Sequence, residues 1–290
     1  MILLKKPKPT RRLDSTAESE HPSVIRPTDC RITAFTPVKD QDIRRLLGRC
    51  PSKQCVLDPV PTWLIKSLPN VFTPILTNIV NASLASSQFS TAHKHALVTP
   101  ILKKPSPDPA QLNNYRPISN FSFVSKLLER SVASQISSYF STNDLFPPLQ
   151  SAYRPRHSTE TALLKITNDA LTAADQGMVT VVVLLDYSAA FDTVDHAVAL
   201  GILEKRFGVS SSCLQWFRSY LSGRTFSVTA NCHSSDVIDL ESSVPQGSTL
   251  GPLLYLTSLT DTTWRSTASQ TIHNLVSRYA RKTFTQLSKP

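Results

Sequence analysis

Asp186 closes an unbroken apolar run. The segment from Val179 to Asp192 reads VTVVVLLDYSAAFD. Residues 179–185 are β-branched or apolar apart from one Thr, with no Gly or Pro. That pattern predicts a strand buried on both faces. A carboxylate at the end of such a strand is carried by rigid backbone to the edge of a sheet, where a site can form. Ser188, Ala189 and Ala190 are small enough to let another molecule approach the main chain, and Phe191 offers a flat wall. The same residues also suit a core strand that ends in a turn, with Asp186 and Asp192 capping the next helix.

A second stretch, Val244 to Tyr255, reads VPQGSTLGPLLY. It resembles a palm motif of reverse transcriptases, and the Asp186 run resembles the first catalytic motif of that family, Asp-x4-Phe. Further motifs stand in order before them. Ala96 to Leu102 (ALVTPIL) reads as a short strand, followed by Lys103, Lys104 and a proline-rich loop, then Asn114-Tyr115-Arg116-Pro117-Ile118-Ser119. Gln150-Ser151-Ala152-Tyr153-Arg154 leads into Ser158-Thr159. LDPVPTWLIK, NIVNASLASSQF and WFRSYLSGRT also match. Together they resemble the reverse transcriptase of LINE-type (non-LTR) retrotransposons, over roughly residues 36–256.

The resemblance implies a set of roles. Asp186 matches the first catalytic and metal-holding carboxylate, and the carbonyl of Tyr187 the neighbouring backbone ligand. Phe191 matches the residue that stacks under the sugar and excludes a 2′-hydroxyl. Gln246 and Gly247 match the loop along the nucleotide and template, where Gly allows close backbone approach. Lys103 or Lys104, with Arg116, would face the triphosphate, for which cations of fork geometry are suited. Arg154 and Arg156, with His157, would meet template or primer phosphates. Without the family, Arg116 could equally salt-bridge locally and the lysines be solvated. Ser158 and Thr159 are also explained as a helix cap. The implied partners are an RNA template, a DNA primer and deoxynucleoside triphosphates. The implied cofactor is Mg²⁺: nucleotidyl transfer uses two ions about 4 Å apart, held by hard oxygen ligands.

The sequence departs from the family at one place. The adjacent Asp pair, usually within F/Y-A-D-D, does not occur; after Leu256 there is a single acid, Asp261, and no Glu. The expectation is therefore a reverse transcriptase (RNA-directed DNA polymerase) domain that is an inactive fragment, cut before that motif and binding Mg²⁺ weakly. The alternative is a non-catalytic nucleic-acid-binding protein that keeps a basic cleft. A hydrolase ranks last, because neither G-x-S-x-G nor G-x4-G-K-[ST] is present.

Composition agrees with an acidic partner. The net charge is +10 and hydrophobic residues make up 40% of 290, enough for a core. Five cysteines at irregular spacing, with no C-x2-C pair, suggest neither zinc site nor disulfide framework. The longest apolar run, Val181 to Leu185, is too short to cross a bilayer. An intracellular protein, nuclear or cytoplasmic, follows as the expectation.

These residues need elements to position them. Residues 1–35 are expected to be a disordered basic tail, with Lys5, Lys6, Lys8, Arg11 and Arg12 clustered. Residues 36–95 read as a helical segment before the fingers, with apolar faces at Trp63, Leu64, Val71, Ile75, Leu76, Ile79, Val80 and Leu84. Residues 96–256 read as fingers and partial palm. Phe123 to Phe140 is an amphipathic helix with Lys126, Glu129 and Arg130 on its polar side. Helices are expected to about Ala174, over Val194–Phe207 ending at Gly208, over Ser211–Leu221, and from Thr249; strands over Thr225–Ala230 and Val237–Leu240. Residues 257–290 are expected to be an unrelated or disordered tail. Eighteen of twenty-one prolines lie at or before Pro155, which sets a soft boundary near residue 160. The fold class is α+β: right-hand polymerase fingers with an incomplete, ferredoxin-like palm and no thumb.

Overall fold

The computed structural model describes residues 2–4, 29–52, 54–103, 108–147, 149–182, 184, 191, 194–230 and 233–258. The chain divides into a larger unit, Arg26–Leu145 with Ala189–Ser258, and a smaller one, Met1–Ile25, Phe146–Ser188 and Leu259–Pro290. The divisions fall at 145/146 and 188/189, so the soft boundary near 160 becomes an excursion out of the larger unit and back.

In the larger unit, helices α1 (Asp40–Arg49), α2 (Thr62–Ser67) and α3 (Pro69–Ser86) lead into strands β2 (His95–Leu102) and β3 (Tyr115–Asn120). Helices α4 (Phe123–Thr142), α6 (His196–Lys205) and α7 (Ser211–Leu221) follow. Strands β5 (Arg224–Ala230), β6 (His233–Ser234) and β7 (Ile238–Leu240) come next, and then helix α8 (Gly251–Ser258). The sheet order is β3-β2-β5-β6, with β7 also on β5. β2 runs antiparallel to β3, with Ile101 opposite Arg116 and Val98 opposite Ser119, and parallel to β5, with Val98 opposite Val228. This is a mixed α+β fold, as the order of elements implies.

The apolar stripes of α4 and α7 supply much of the core. Leu127, Leu128, Val132, Ile136 and Phe140 recur at three- and four-residue steps on α4, and all are buried. On α7, Trp216 stacks on Tyr220 at 5.6 Å and meets the edges of Phe35 and Phe89 at 5.9 and 5.6 Å. Such aromatic pairs contribute about 0.5–1.5 kcal/mol each beyond the area they bury. The start of α4 is fixed twice over. Ser122 Oγ accepts the Ser125 N–H, and Asp58 accepts that of Phe123. Gly208 stops the chain after α6 with φ +66°; a Cβ there would fall 2.0 Å from the Cys30 carbonyl.

The smaller unit holds α5 (Thr159–Asp175) and a two-stranded sheet of β1 (Ile2–Leu4) antiparallel to β4 (Val179–Val181). Ser158 caps α5 in a capping box with Thr161.

Four expectations change. The doubly buried strand over 179–185 is a three-residue strand whose neighbours are open: Val179 is 52% exposed, Val182 49% and Leu184 87%. Hydrophobic run length reports the wish to be covered, and β1 covers only an edge. Within the tail assigned to 1–35, Ile2–Leu4 is a strand, Ile32 bridges to Val209 and Phe35 is buried. The apolar face of α2 and α3 is split: Leu76, Val80 and Leu84 are buried, while Trp63, Val71, Ile75 and Ile79 are exposed. Glu129 lies in the core rather than on the polar side of α4, since it falls in line with Ser125, Val132 and Ile136.

Candidate functional site

β2 and β3 form a hairpin whose loop end carries cations. Lys103 leaves β2 with its N–H donated to the Asn114 carbonyl at 2.9 Å. Arg116 stands exposed on β3 opposite Ile101, two residues before Lys103. Lys104 lies outside the described residues. Pro117 follows Arg116 on the outermost strand of the sheet, where a missing N–H is tolerated.

The Gln246–Gly247 loop covers that outer edge. Ser119 donates its N–H to the Gln246 carbonyl at 2.9 Å. Ser119 and Arg116 are three steps apart on one strand, about 10 Å along it. Gly247 has φ +114°, and a Cβ there would sit 2.7 Å from the Ser119 carbonyl oxygen. The close approach that demands glycine is therefore to the chain's own β3. The loop is also tied to the segment after Asp186. Val244 donates its N–H to the Phe191 carbonyl at 2.9 Å, Ser243 donates to that of Val194 at 2.9 Å, and His196 Nε2 lies 2.8 Å from the Ser243 carbonyl. The half-buried Phe191 ring leans on Tyr255 of α8, with centroids 5.4 Å apart. Asp186 and Tyr187, the expected metal ligands, lie outside the described residues, as does Asp192. The cap of α6 is Asp195, which accepts the Val198 N–H at 2.9 Å, rather than Asp186 or Asp192.

A pocket of about 490 Å³ opens beside the loop, lined among others by Asp58, Phe121, Lys126, Arg130, Gly247 and Thr249. Cys50, one of its lining residues, holds two cations through its sulfur and its carbonyl. Arg130 donates to Cys50 Sγ, and Lys66 Nζ donates to the Cys50 carbonyl at 2.7 Å. Burial raises the Cys50 thiol pKa, while Arg130 and then Lys66 act against that rise. Burial pushes the Cys213 thiol up to about 12, which leaves it without nucleophilic character at neutral pH. Among the described residues, no group of three or more His, Cys, Asp or Glu side chains could hold a metal ion.

Arg154 and Arg156 belong to the smaller unit. The Arg154 guanidinium lies over the Phe146 ring at 5.8 Å and reaches the Pro147 carbonyl at 3.4 Å. Arg156 is exposed with φ +64°, and His157 Nδ1 lies 2.9 Å from the Pro155 carbonyl. Among the expected site residues, Lys103, Arg116, Phe191, Gln246 and Gly247 thus share the larger unit.

Three functional candidates escaped the sequence reading: Asp58, Glu129 and Arg224. Asp58 ties the LDPVP turn to α4 by accepting the Cys55 N–H at 3.1 Å as well as that of Phe123. Arg224 is 1% exposed, with its guanidinium 4.5 Å from the Tyr220 ring centre. For Glu129 a signal existed: its position in the buried stripe of α4.

Comparison with known proteins gives the same family from residues 101–280, which match the model described as "Reverse transcriptase (RNA-dependent DNA polymerase)". The match runs past residue 256, where the recognised motifs stop. The chain is 34% identical over 221 residues to "RNA-directed DNA polymerase from mobile element jockey" of Drosophila funebris, covering 76% of this chain and 24% of that protein. It is 31% identical over 232 residues to "Probable RNA-directed DNA polymerase from transposon X-element" of Drosophila melanogaster, covering 78% and 24%. With "Probable RNA-directed DNA polymerase from transposon BS" of the same species the figures are 31% over 220 residues, 76% and 24%. The chain spans about a quarter of the length of these curated relatives. The chain belongs to the reverse transcriptase (RNA-dependent DNA polymerase) family, of the kind found in non-LTR mobile elements.

Proposed function

We propose that residues 96–256 are a fingers and partial-palm module that binds a deoxynucleoside triphosphate and an RNA–DNA primer–template without extending it. The observation that carries the binding half is the hydrogen bond from Ser119 to Gln246. It supports the reading because the loop expected along the nucleotide touches the strand that carries Arg116. Arg116 would hold the triphosphate, Phe191 the sugar, and Arg154 and Arg156 the phosphates of the strands. Mg²⁺ would be met by Asp186 and the Tyr187 carbonyl.

The non-extending half rests on the sequence. A two-ion site needs several carboxylates, and no Asp-Asp pair follows the PQG loop within residues 248–290. Losing a catalytic carboxylate takes several kcal/mol from transition-state stabilisation. Primer extension on an RNA template with Mg²⁺ is the test. The expected result is binding without product; robust synthesis abolished by Asp186→Ala would overturn it.

The second reading, a purely nucleic-acid-binding protein, is favoured by the Lys126 and Arg130 pocket and the net charge of +10. It expects RNA affinity that falls steeply with salt and no affinity for the nucleotide.

A further inference from the structure

Glu129 is 0% exposed in the middle of α4. One carboxylate oxygen accepts the N–H groups of Thr249 and Leu250, the latter at 3.2 Å, where the PQG loop turns into α8. Its other oxygen and the Nε and Nη2 of Arg224 meet no hydrogen-bond partner, and the Tyr220 hydroxyl lies beside the carboxyl and Ser248 without a well-formed hydrogen bond. The Arg224 guanidinium, 1% exposed, is walled by the rings of Tyr220, Phe121 and Phe89 at 4.5, 5.3 and 5.5 Å. It gives one hydrogen bond, to the Tyr220 carbonyl at 2.9 Å. Burial raises the carboxyl pKa, and the Arg224 charge followed by the two amides acts against it.

Stability does not explain such a cluster. Buried opposite charges with unfilled hydrogen-bonding capacity are commonly matched or bettered by apolar residues of similar volume. What the cluster does is hold a loop. The stretch from Val244 to Leu250 is fastened at three places: Val244 to Phe191, Gln246 to Ser119, and Thr249 with Leu250 to Glu129. The first two are main-chain contacts; the third is made by a buried side chain, on the far side of Gly247.

We propose that Glu129 is a positioning residue for the Gln246–Gly247 loop, acting through the amides of Thr249 and Leu250, with Arg224 as its buried counter-charge. The consequence for nucleotide affinity rests on the reading of that loop given above; the consequence for loop order does not.

The test uses the full chain and the variants Glu129→Gln, Glu129→Leu and the double variant Glu129→Leu with Arg224→Met. Amide hydrogen exchange is followed over residues 246–250, beside the melting temperature and the affinity for dATP. Glu129→Leu is expected to speed exchange at Thr249 and Leu250 at least tenfold and to weaken dATP binding at least tenfold. Glu129→Gln, whose amide oxygen can still accept, should restore most of both. The double variant should recover the melting temperature without recovering slow exchange or affinity. Slow exchange in Glu129→Leu, or recovery of slow exchange together with the melting temperature in the double variant, overturns the proposal. Wild-type protein that binds no dATP overturns the nucleotide reading alone, and exchange at Thr249 and Leu250 then decides the positioning role by itself.

Discussion

Asp58 bridges two segments by accepting the N–H of Phe123 with one carboxylate oxygen and that of Cys55 with the other. The first contact caps α4 from outside its own chain segment, beside the local cap Ser122. A side chain that satisfies an orphan amide at a helix start contributes about 0.5–2 kcal/mol. Asp58→Ala is therefore expected to lower unfolding stability by about 1–2 kcal/mol in urea titration. Ser122→Ala should add a similar loss. Asp58→Asn, which keeps an acceptor, should fall between.

Gly247 makes a sharper case. Its φ of +114° and the 2.7 Å gap to the Ser119 carbonyl leave no room for a methyl group. Gly247→Ala should push the loop off β3, with strain of about 1–3 kcal/mol and lost affinity for nucleotide. Gly48, inside α1 with nothing within 4 Å of an added Cβ, is the control. Gly48→Ala should stabilise by about 0.5–1 kcal/mol. Thermal melts of the two variants should move in opposite directions.

Arg116 is exposed on β3, so its removal should leave stability within about 0.5 kcal/mol of wild type. Its loss should appear in binding instead. Arg116→Ala is expected to weaken affinity for dATP about tenfold or more, through loss of a charge-assisted contact to phosphate. An unchanged affinity would place Arg116 away from the triphosphate.

His93 sets a pH dependence. Burial lowers its pKa from the ordinary 6.5, opposed by Asp58. The folded protein thus prefers the neutral imidazole, while the unfolded chain protonates near 6.5. Stability is complete above 6.5 and falls as pH drops below it, because the unfolded state gains the proton first. The melting temperature measured between pH 7.5 and 5.5 should decline, and His93→Gln should decline less steeply.

The elements were legible wherever apolar spacing had one interpretation. Ser211–Leu221 is a helix over the residues its stripe marks, since Cys213, Leu214, Trp216, Phe217, Tyr220 and Leu221 have a single core to face. Val179–Leu185 was less legible, because β-branched composition specifies an extended backbone and leaves open which faces find cover. Glu129 was misplaced for the opposite reason: its charge argued for solvent while its helical position argued for the core, and the amides of Thr249 and Leu250 decided the matter from more than a hundred residues away. The Lys103, Arg116, Gln246 and Gly247 constellation was visible as motifs, but its geometry depends on an edge-strand hydrogen bond that one-dimensional spacing does not encode.

Trp63 and Trp216 stand in opposite surroundings, at 59% and 0% exposure. Their emission should differ accordingly: iodide should quench the indole of α2 and leave that of α7 bright and blue-shifted. With Trp264, the third indole of the sequence, replaced by Phe, a single spectrum recorded during denaturation can then separate fraying of the amino-terminal helices from collapse of the aromatic cluster.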